Sequence, residues 1–447
     1  MRPPIYLADL ELSRPLRPID GLGRFTAAQL LVRLHGEPLG EVTLPIVNGR
    51  VTAHAAAEAI RTSLYDALLA AGLRNGLQAP MGPDGLELEA LLDTAPAPDD
   101  GPTPLVTVAV CTRDRPDDLR SCLEAIGALT YPHLDIVVVD NAPSDDRTEA
   151  LVRSAFPAVR YVREPRPGLD WARNRAVLAA RGEIVAFTDD DVVVDPGWVS
   201  AFVPLFTAAP DVMGATGLVL PLELETDAQV LFEKYGGFGR GFTRCWWRRA
   251  AQEAAPRRLF HHGPGRFGTG ANMAFRRSVF ETIGGFDPAL DVGTQTTGGG
   301  DLEIYFRLLQ EGHTLAYEPS ALVRHRHRRS QAGLYRQIAS WGRAVFAVKA
   351  RSLRAYPQER RGFRELTRWW RRDGLRRLAR SLLGRSPIPP ALVWAELTSA
   401  WDGAASYRRA TADVARLEAE FGPQPPIPGG DALPSATPSV TPSVPAS

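Results

Sequence analysis

The hydrophobic pattern of residues 105–330 alternates between two kinds of segment. Short apolar runs, typical of buried strands, are separated by longer segments whose apolar positions recur at the spacing of one helix face. This alternation predicts an α/β domain with a mainly parallel sheet and helices on both faces. The predicted strands are VTVAVCT, DIVVVD, VRYVRE and EIVAFTD, and the predicted helices are DDLRSCLEAIGAL, DRTEALVRSAF and LDWARNRAVLAARG.

Changes in composition divide the chain into five segments. Residues 1–93 combine short alternating runs with one helical pattern, which predicts a small accessory α+β domain. Residues 94–104, TAPAPDDGPTP, predict a linker, because proline and turn-forming residues interrupt helices and central strands. The α/β domain follows at 105–330. Residues 331–422 predict a basic helical segment, and 423–447, rich in proline and serine, predict a disordered tail.

Overall composition limits the class of protein. A chain of 447 residues with 44% apolar and 23% charged residues is typical of a soluble protein of several domains. The net charge of +1 gives no overall field that would recruit nucleic acid, so we expect no nucleic-acid partner. Cys111, Cys122 and Cys245 are too few for a disulfide framework or zinc site, which favours a cytoplasmic location. No apolar stretch is long enough to predict a membrane span.

Acidic residues follow three of the four predicted strands. The first strand ends in CTRDRP, the second in VVVDNAPSDD and the fourth in AFTDDDVVVDPGW. Ligands of such sheets bind beyond the carboxyl ends of the strands. Mg²⁺ or Mn²⁺ takes oxygen ligands, needs only one or two carboxylates, and completes its shell with ligand phosphates. The pattern therefore predicts one of these cations beside a phosphorylated ligand.

The run Asp189, Asp190 and Asp191 contains the candidate metal ligand. An extended chain would direct the first and third carboxylates to one face and Asp190 to the other. We predict that Asp191 binds the metal and that Asp189 lies beside it near a ribose. The alternative interpretation is a solvated acidic turn, which the position directly after the apolar run EIVAF disfavours.

Five ordered blocks span about half of the chain, roughly 105–328. They are VTVAVCTRDRPDDL, IVVVDNAPSDD, GLDWARNRAVLAARGEIVAFTDDDVVVDPGW, GTGANMAFRRSVFETIGGFDP and GGDLEIYFRLLQEG. In this order they resemble the family 2 glycosyltransferases. The resemblance implies an inverting enzyme with the GT-A fold that uses Mg²⁺ or Mn²⁺. It also implies a nucleoside-diphosphate-sugar donor, with a glycan, a lipid-linked molecule or a small molecule as acceptor.

The resemblance also implies roles for single residues of the donor site. Thr112, Arg113 and Asp140 resemble the nucleoside pocket, with Asp140 accepting a hydrogen bond from the base. Arg173 and Asn174, in the segment GLDWARN, resemble residues that border the nucleotide. The Asp-x-Asp signature of the family resembles the run from Asp189 through Asp190 to Asp191, and Trp171 is either a wall of the pocket or part of the core.

Asp301 resembles the catalytic base of the family. A glutamate often precedes this aspartate in the family, whereas Gly300 stands here, which affects the expected acceptor contacts. Inverting transfer needs a carboxylate that takes the proton of the acceptor hydroxyl, and three preceding glycines let the loop approach a ligand closely. The alternative role is that of a helix N-cap, which stabilises a helix by about 1 kcal/mol. Both roles are compatible.

Two histidines follow the predicted strand TLAYEPSALVRH. His325 and His327 are two residues apart and therefore lie on one face of an extended chain. A neutral imidazole can bind a metal, and we predict His325 as a further metal ligand. The alternative is a pair of solvated histidines in the basic run HRHRR.

The segment 351–385 carries twelve arginines against three acidic residues. Its apolar residues recur at helical spacing and form a stripe flanked by arginines. Two interpretations stay open: the stripe packs on the catalytic domain, or it lies in the headgroup layer as a peripheral contact at the inner face of the membrane. The stripe comprises Phe363, Leu366, Trp369, Trp370, Leu375, Leu378 and Leu382.

Two other classes of function compete with sugar transfer. A nucleotidyltransferase would also use paired acids and a metal, but CTRDRP stands where a glycine-rich first loop would be expected. A non-catalytic sugar-nucleotide-binding protein would not need Asp301, whose presence argues against it.

Overall fold

A computed structural model describes residues 2–77, 87–96, 101–249, 265–425 and 427. Residues 97–100 of the predicted linker and nearly all of the predicted tail lie outside the described residues. Among the residues described, no helix combines the length and the apolar character needed to cross a membrane.

The amino-terminal unit consists of a three-stranded sheet covered by one helix. Strand β1 (Ile5–Glu11) runs parallel to β2 (Ala27–Leu34), and β2 pairs antiparallel with β3 (Glu37–Pro45). Helix α1 (Ala53–Arg74) packs on this sheet, and a short 3-10 helix, Leu88–Asp93, closes the same core. The accessory-domain boundary at residue 93 stays a prediction.

Polar and ionic contacts join this unit to the large sheet. Nη2 of Arg33 lies 2.6 Å from Oδ2 of Asp195, and Arg324 forms an ion pair with Asp9. The backbone N–H of Ile5 donates to the carbonyl oxygen of Leu224 at 2.9 Å. The unit therefore lies against the strand ends around residues 195 and 324 rather than apart from the α/β domain.

In the described part of the chain, the second sheet has nine strands and confirms the predicted α/β class with a mainly parallel sheet. Four parallel strands lie in the order β6-β5-β4-β7, and β11 pairs antiparallel with both β7 and β9. Strand β12 runs parallel to β9 and also pairs with β8 and β10. The strands are Val106–Thr112 (β4), Leu134–Asn141 (β5), Arg160–Glu164 (β6), Ile184–Asp189 (β7), Val192–Val194 (β8), Val212–Pro221 (β9), Cys245–Trp247 (β10), Asn272–Arg276 (β11) and Thr314–His325 (β12).

Helices cover both faces of this sheet, as the alternating pattern predicted. One core is formed with α2, α3 and α5, and the opposite core with α4, α7 and α8. Every side chain of β4 is buried, which explains why its sequence is an unbroken apolar run rather than an alternating one. The helices are Pro116–Gly127 (α2), Arg147–Ala155 (α3), Leu169–Ala179 (α4), Trp198–Ala208 (α5), Asp227–Tyr235 (α6), Val279–Ile283 (α7) and Gly300–Gln310 (α8).

Four further helices follow the sheet: Gln331–Ala355 (α9), Arg360–Leu382 (α10), Pro390–Ser399 (α11) and Gly403–Phe421 (α12). Helix α9 packs against α11 and α12. Phe363 of α10 lies 5.3 Å, between ring centroids, from Phe306 of α8. The helices predicted for 331–422 are thus present, and the face of α10 that carries Phe363 packs against the α/β domain.

Candidate active site

The ends of four strands, β4, β5, β7 and β12, meet at one cleft of about 310 Å³. Because β4 and β7 are parallel neighbours, Cys111 pairs in register with Asp189, and the residues that follow both strands reach the same edge. The end of β12 brings His325 to that edge as well. The cleft is lined by Cys111, Thr112, Arg113, Arg115, Asn141, Gly168, Leu169, Asp189, Asp190, Asp191, Asp291, Val292, Gly293, His325 and Arg328.

The three consecutive aspartates do not alternate in the way an extended chain would require. Strand β7 ends at Asp189, and the next two residues form a turn. Consequently Asp190 and Asp191 both face Arg115, whose Nη1 lies 2.7 Å from Oδ1 of Asp190 and 3.1 Å from Oδ2 of Asp191. The expectation that Asp190 points away from Asp191 is therefore wrong. Thr112 donates a further hydrogen bond to Asp190 at 2.8 Å.

Burial affects the protonation of these carboxylates. It raises the pKa of Asp189 to about 6 and that of Asp190 to about 7, although Arg173 and Arg115 respectively oppose the change. Burial acts in the same direction on Asp191, but His325 and Arg115 hold the pKa of this carboxyl below its ordinary value. Asp191 is therefore the carboxylate of the run that is most readily ionised at neutral pH.

Asp191 and His325 have the chemistry of a metal-binding pair. Nε2 of His325 lies 3.4 Å from Oδ1 of Asp191, while Nδ1 of the same ring contacts Nδ1 of His327 at 3.0 Å. His327 in turn contacts Glu233 through Nε2 at 2.8 Å. Burial lowers the pKa of His325 to about 4, so its ring is neutral near pH 7, as a ligand must be.

The donor set fits a cation that shares its shell with a phosphorylated ligand. Within the described ranges, no group of three or more His, Cys, Asp or Glu residues is arranged to hold a metal by itself. Asp191 and His325 would supply two ligands and leave the remaining positions to phosphate oxygens and water, which suits Mg²⁺ or Mn²⁺.

Asp301 lies in the first turn of α8. Its Oδ2 accepts a hydrogen bond from the backbone N–H of Gly270 at 2.8 Å, and its Oδ1 accepts one from Leu302 at 2.8 Å. The helix begins at Gly300 and its cap residue is Gly299, at a φ of 115° that glycine adopts readily. The alternative N-cap role for Asp301 is therefore wrong, although a carboxylate in the first turn still favours the helix dipole.

The end of β5 has the features of a polar recognition site. Oδ2 of Asp140 accepts a hydrogen bond from the hydroxyl of Tyr161 at 2.8 Å, whereas its Oδ1 is buried and has no partner among the described residues. Burial raises the pKa of Asp140. Arg113 borders the cleft with a half-exposed side chain, 3.7 Å from Asp114.

Arg173 and Asn174 occupy different surroundings from those expected for residues that contact a donor directly. Arg173 is buried behind the strand ends, with Nη1 2.9 Å from Oδ1 of Asp170 and Nη2 3.9 Å from Oδ1 of Asp189. The amide of Asn174 donates to the carbonyl of Phe286 at 2.8 Å and accepts its N–H at 2.7 Å. Asn174 thus fixes the chain at residue 286 and does not line the cleft, which corrects its predicted contact with the donor.

Trp171 belongs to the core. Its side chain is buried, and the guanidinium of Arg166 lies 4.2 Å from the centroid of its ring. Of the two interpretations of this residue, the structure therefore favours packing over a pocket wall.

Several residues that line the cleft were not predicted, among them Arg115 and Asp291. Arg115 bridges Asp190 and Asp191, and its only signal in the sequence was its position soon after the first strand. Asp291 lines the cleft and accepts a hydrogen bond through Oδ2 from the backbone N–H of Asp170 at 2.5 Å. Asp291 is far from every strand in the sequence, so no local pattern indicated it.

Residues 107–284 match the sequence profile of Glycosyl transferase family 2. The chain carries a family 2 glycosyltransferase domain. The match begins in β4 and ends after α7, so it includes the three aspartates at the end of β7. The predicted family is thereby confirmed, and the glycosyltransferase domain has the GT-A type α/β fold.

Characterised relatives of the glycosyltransferase domain come from archaea and bacteria. The chain is 24% identical over 231 residues to a glucosyl-dolichyl phosphate glucuronosyltransferase of Haloferax volcanii, covering 49% of this chain and 69% of the relative. It is 31% identical over 297 residues to the O-antigen biosynthesis protein RfbC of Myxococcus xanthus, covering 61% and 21%. It is 27% identical over 235 residues to a pre-mycofactocin glycosyltransferase of Mycobacterium tuberculosis, covering 52% and 45%.

Among solved structures, a mannosyltransferase of Pyrobaculum calidifontis in complex with GDP-Man and Mn²⁺ aligns with a TM-score of 0.42 at 20% identity. The alignment covers 82% of this chain and 89% of that one.

Proposed function

We propose that the protein transfers a sugar from a nucleoside-diphosphate sugar to an acceptor hydroxyl with inversion, in a reaction that depends on Mg²⁺ or Mn²⁺. The observation that carries the proposal is the pairing of Asp191 with His325 at the cleft of a family 2 domain. Relatives named for transfer to a dolichyl-phosphate-linked sugar and for O-antigen synthesis support a glycan or lipid-linked acceptor. A screen of candidate acceptors would distinguish these acceptors from the alternative, a small molecule.

Asp301 acts as the base of the proposed reaction. Its carboxylate accepts the proton of the acceptor hydroxyl as the hydroxyl oxygen forms a bond to the anomeric carbon. The bond between that carbon and the diphosphate oxygen breaks on the opposite face, and its electron pair leaves with the diphosphate. A metal bound by Asp191 and His325 would neutralise the charge on the leaving diphosphate.

Residues at the ends of β4 and β5 hold the donor. Asp140 does not line the cleft itself but precedes the cleft-lining Asn141, and it has one buried oxygen available to accept an N–H of the base, while Tyr161 occupies the other. Thr112 and Arg113 line the cleft.

Arg115 contacts both Asp190 and Asp191. A metal bound to Asp191 would replace the second of these contacts, so the guanidinium could then contact the diphosphate.

Ligand-induced stabilisation tests the proposal. Melting temperatures should be measured with UDP, GDP and ADP, each with Mn²⁺ or with a chelator. We expect at least one nucleoside diphosphate to raise the melting temperature more strongly with Mn²⁺, because a ligand at about 100 times its Kd stabilises the native state by about 2.7 kcal/mol.

His325→Ala should lose the Mn²⁺-dependent part of that shift. The control His313→Ala, which changes a histidine between α8 and β12 that does not line the cleft, should retain it. The proposal fails if no nucleoside diphosphate shifts the wild-type protein, or if His325→Ala responds to Mn²⁺ like the wild type.

We also propose that one face of α10 and α11 contacts an anionic membrane surface. Part of the predicted stripe is occupied by packing, since Phe363, Leu366 and Trp370 are buried. Other apolar side chains are exposed, namely Leu375 at 58%, Leu382 at 68%, Trp394 at 57% and Trp401 at 79%.

Arginines surround these exposed side chains. The guanidinium of Arg371 lies 5.7 Å from the ring centroid of Trp401, so α10 contacts the short 3-10 helix Ala400–Asp402 that directly follows α11. A shallow concavity on α10 is lined by arginines and small apolar groups without an acidic residue, which complements anionic headgroups. It is formed by Arg368, Arg371, Arg372, Leu375, Arg376 and Ala379.

Vesicle sedimentation tests this contact. The protein should pellet with phosphatidylserine-containing vesicles, less so as salt rises, and not with pure phosphatidylcholine. The double variant Trp394→Ala, Trp401→Ala should pellet several-fold less, while Trp246→Ala, which removes an exposed tryptophan from β10, should behave like the wild type. Equal pelleting with both kinds of vesicle, or with neither, would exclude the proposed contact.

A further inference from the structure

The carboxylate of Asp170 fills the space beside Gly300. A Cβ added to Gly300 would overlap Oδ2 of Asp170 and lie 2.6 Å from its Cγ. The side chain of Asp170 is almost fully buried and cannot move into solvent without disturbing α4. Position 300, where a glutamate often stands in the family, is therefore restricted to glycine in this chain as long as Asp170 is present.

Asp170 holds the buried guanidinium of Arg173. Its Oδ1 accepts a hydrogen bond from Nη1 of Arg173 at 2.9 Å, whereas its Oδ2 is buried without a hydrogen-bond partner in the described part of the chain. A buried charge is costly unless an opposite charge compensates it, so this pair constrains where the guanidinium can lie. The unsatisfied oxygen is the one that faces Gly300.

Arg173 in turn contacts the groups assigned to the chemistry. Its Nη2 lies 3.9 Å from Oδ1 of Asp189. A Cβ at Gly270 would overlap that same nitrogen and lie 3.1 Å from Cζ, so the backbone of Gly270 rests directly on the guanidinium. The N–H of Gly270 donates to Oδ2 of Asp301. The guanidinium of Arg173 thus lies between Asp189, the last residue of β7, and the backbone that binds the proposed base.

The backbone of Asp170 is also tied to the cleft. Its N–H donates to Oδ2 of Asp291, and Oδ1 of Asp291 accepts the N–H of Gly293 at 2.9 Å. Asp291 and Gly293 both line the cleft. Asp170 is therefore fixed at its backbone by one wall of the cleft and at its side chain by Arg173.

We propose that Asp170 is a positioning residue for the sugar transfer. Its carboxylate fixes Arg173, and Arg173 in turn fixes the positions of Asp301 and Asp189. The same carboxylate occupies the space that a side chain at position 300 would need. The inference rests on the proposed function, since its readout is turnover. It also explains why residue 300 must be glycine: the carboxylate of Asp170 leaves no room there for a Cβ atom.

A double-mutant cycle between positions 170 and 300 tests this inference. Gly300→Ala should lower kcat about tenfold, because displacement of the carboxylate moves Arg173 and the base out of line, while the affinity for the nucleoside diphosphate stays within about twofold. Asp170→Ala should lower kcat by a similar factor. In the double variant, the methyl group added at position 300 has room, so kcat should equal that of Asp170→Ala alone rather than the product of both losses.

Controls separate positioning from loss of structure. Gly127→Ala, where an added Cβ meets nothing within 4 Å, should leave kcat unchanged and should not lower the melting temperature. Asp170→Asn keeps the shape but not the charge, so it should remain folded while kcat falls. Independent effects of the two positions on kcat, or a loss of donor affinity equal to the loss of kcat, would overturn the inference; an inactive wild type would instead contradict the proposed function.

Discussion

Asp301→Asn should lower the turnover of sugar transfer at least about a hundredfold while donor affinity is retained. The amide has nearly the shape of the carboxylate but cannot take the proton of the acceptor hydroxyl. Binding of the nucleoside diphosphate depends on the ends of β4, β5, β7 and β12, which this substitution does not change. The measurements are steady-state kinetics of transfer and calorimetric titration with the nucleoside diphosphate in the presence of Mn²⁺.

The local structure requires a stability control for this variant. Both oxygens of Asp301 accept backbone N–H groups, from Gly270 and Leu302, and asparagine can replace only one of these bonds well. The lost bond should cost about 1 kcal/mol, too little to unfold the domain. Glu281→Gln, which changes an acid of α7 that does not line the cleft, should transfer sugar at the wild-type rate. A turnover of Asp301→Asn within a factor of two of wild type would exclude Asp301 as the base.

The large sheet could be predicted because its strands are buried on both sides. A strand such as β4, with no exposed position, must be an apolar run, and the acids that follow such runs must lie at one edge. That reasoning predicts Thr112, Asp191 and His325 as site residues, and all three line the cleft. The position of strand β11 in the sheet could not be predicted by this reasoning. Its five residues come from a distant part of the chain and pair antiparallel with both β7 and β9.

Contacts that depend on turns could not be predicted. The period of an extended strand does not apply after Asp189, so the shared pairing of Asp190 and Asp191 with Arg115 depends on a turn that the sequence does not specify. Asn174 lies one residue from Arg173, yet its amide is bound to the backbone of Phe286, whose position is set by tertiary packing. Sequence proximity to a motif therefore did not decide which side chains reach the cleft.

The basic helix illustrates the same limit on a surface. Helical spacing grouped all apolar residues of α10 into one stripe, but a helix can bury one apolar face and expose another. Phe363 packs on Phe306, and Trp370 packs on Phe346 at 5.1 Å between ring centroids, whereas Leu375 and Leu382 face outward. Which face packs depends on α8, α9 and α11, none of which can be inferred from the periodicity of α10.

Asp191→Ala should abolish detectable transfer and remove the Mn²⁺-dependent part of donor binding. Asp191 is the carboxylate of the acidic run with a lowered pKa, and it faces the neutral ring of His325, so its loss leaves one nitrogen ligand for the metal. A single imidazole does not hold Mg²⁺ or Mn²⁺ against water, and the diphosphate would keep its full charge in the cleft. Transfer should be measured over a range of Mn²⁺ concentrations, with calorimetric binding of the nucleoside diphosphate alongside.

The substitution Asp191→Ala also removes one ion-pair partner of Arg115. A matched variant separates this effect from the loss of a metal ligand. Arg115 also pairs with Asp118, with Nη2 2.8 Å from Oδ2, and Asp118 is not one of the two proposed metal ligands. Asp118→Ala therefore loosens the same guanidinium but keeps Asp191 and His325, and it should retain Mn²⁺-dependent binding. If Asp118→Ala lost that binding as completely as Asp191→Ala, the effect would belong to Arg115 and not to a metal. Full activity of Asp191→Ala in the presence of a chelator would exclude the metal mechanism, because the ionised carboxylate that faces His325 would then be dispensable.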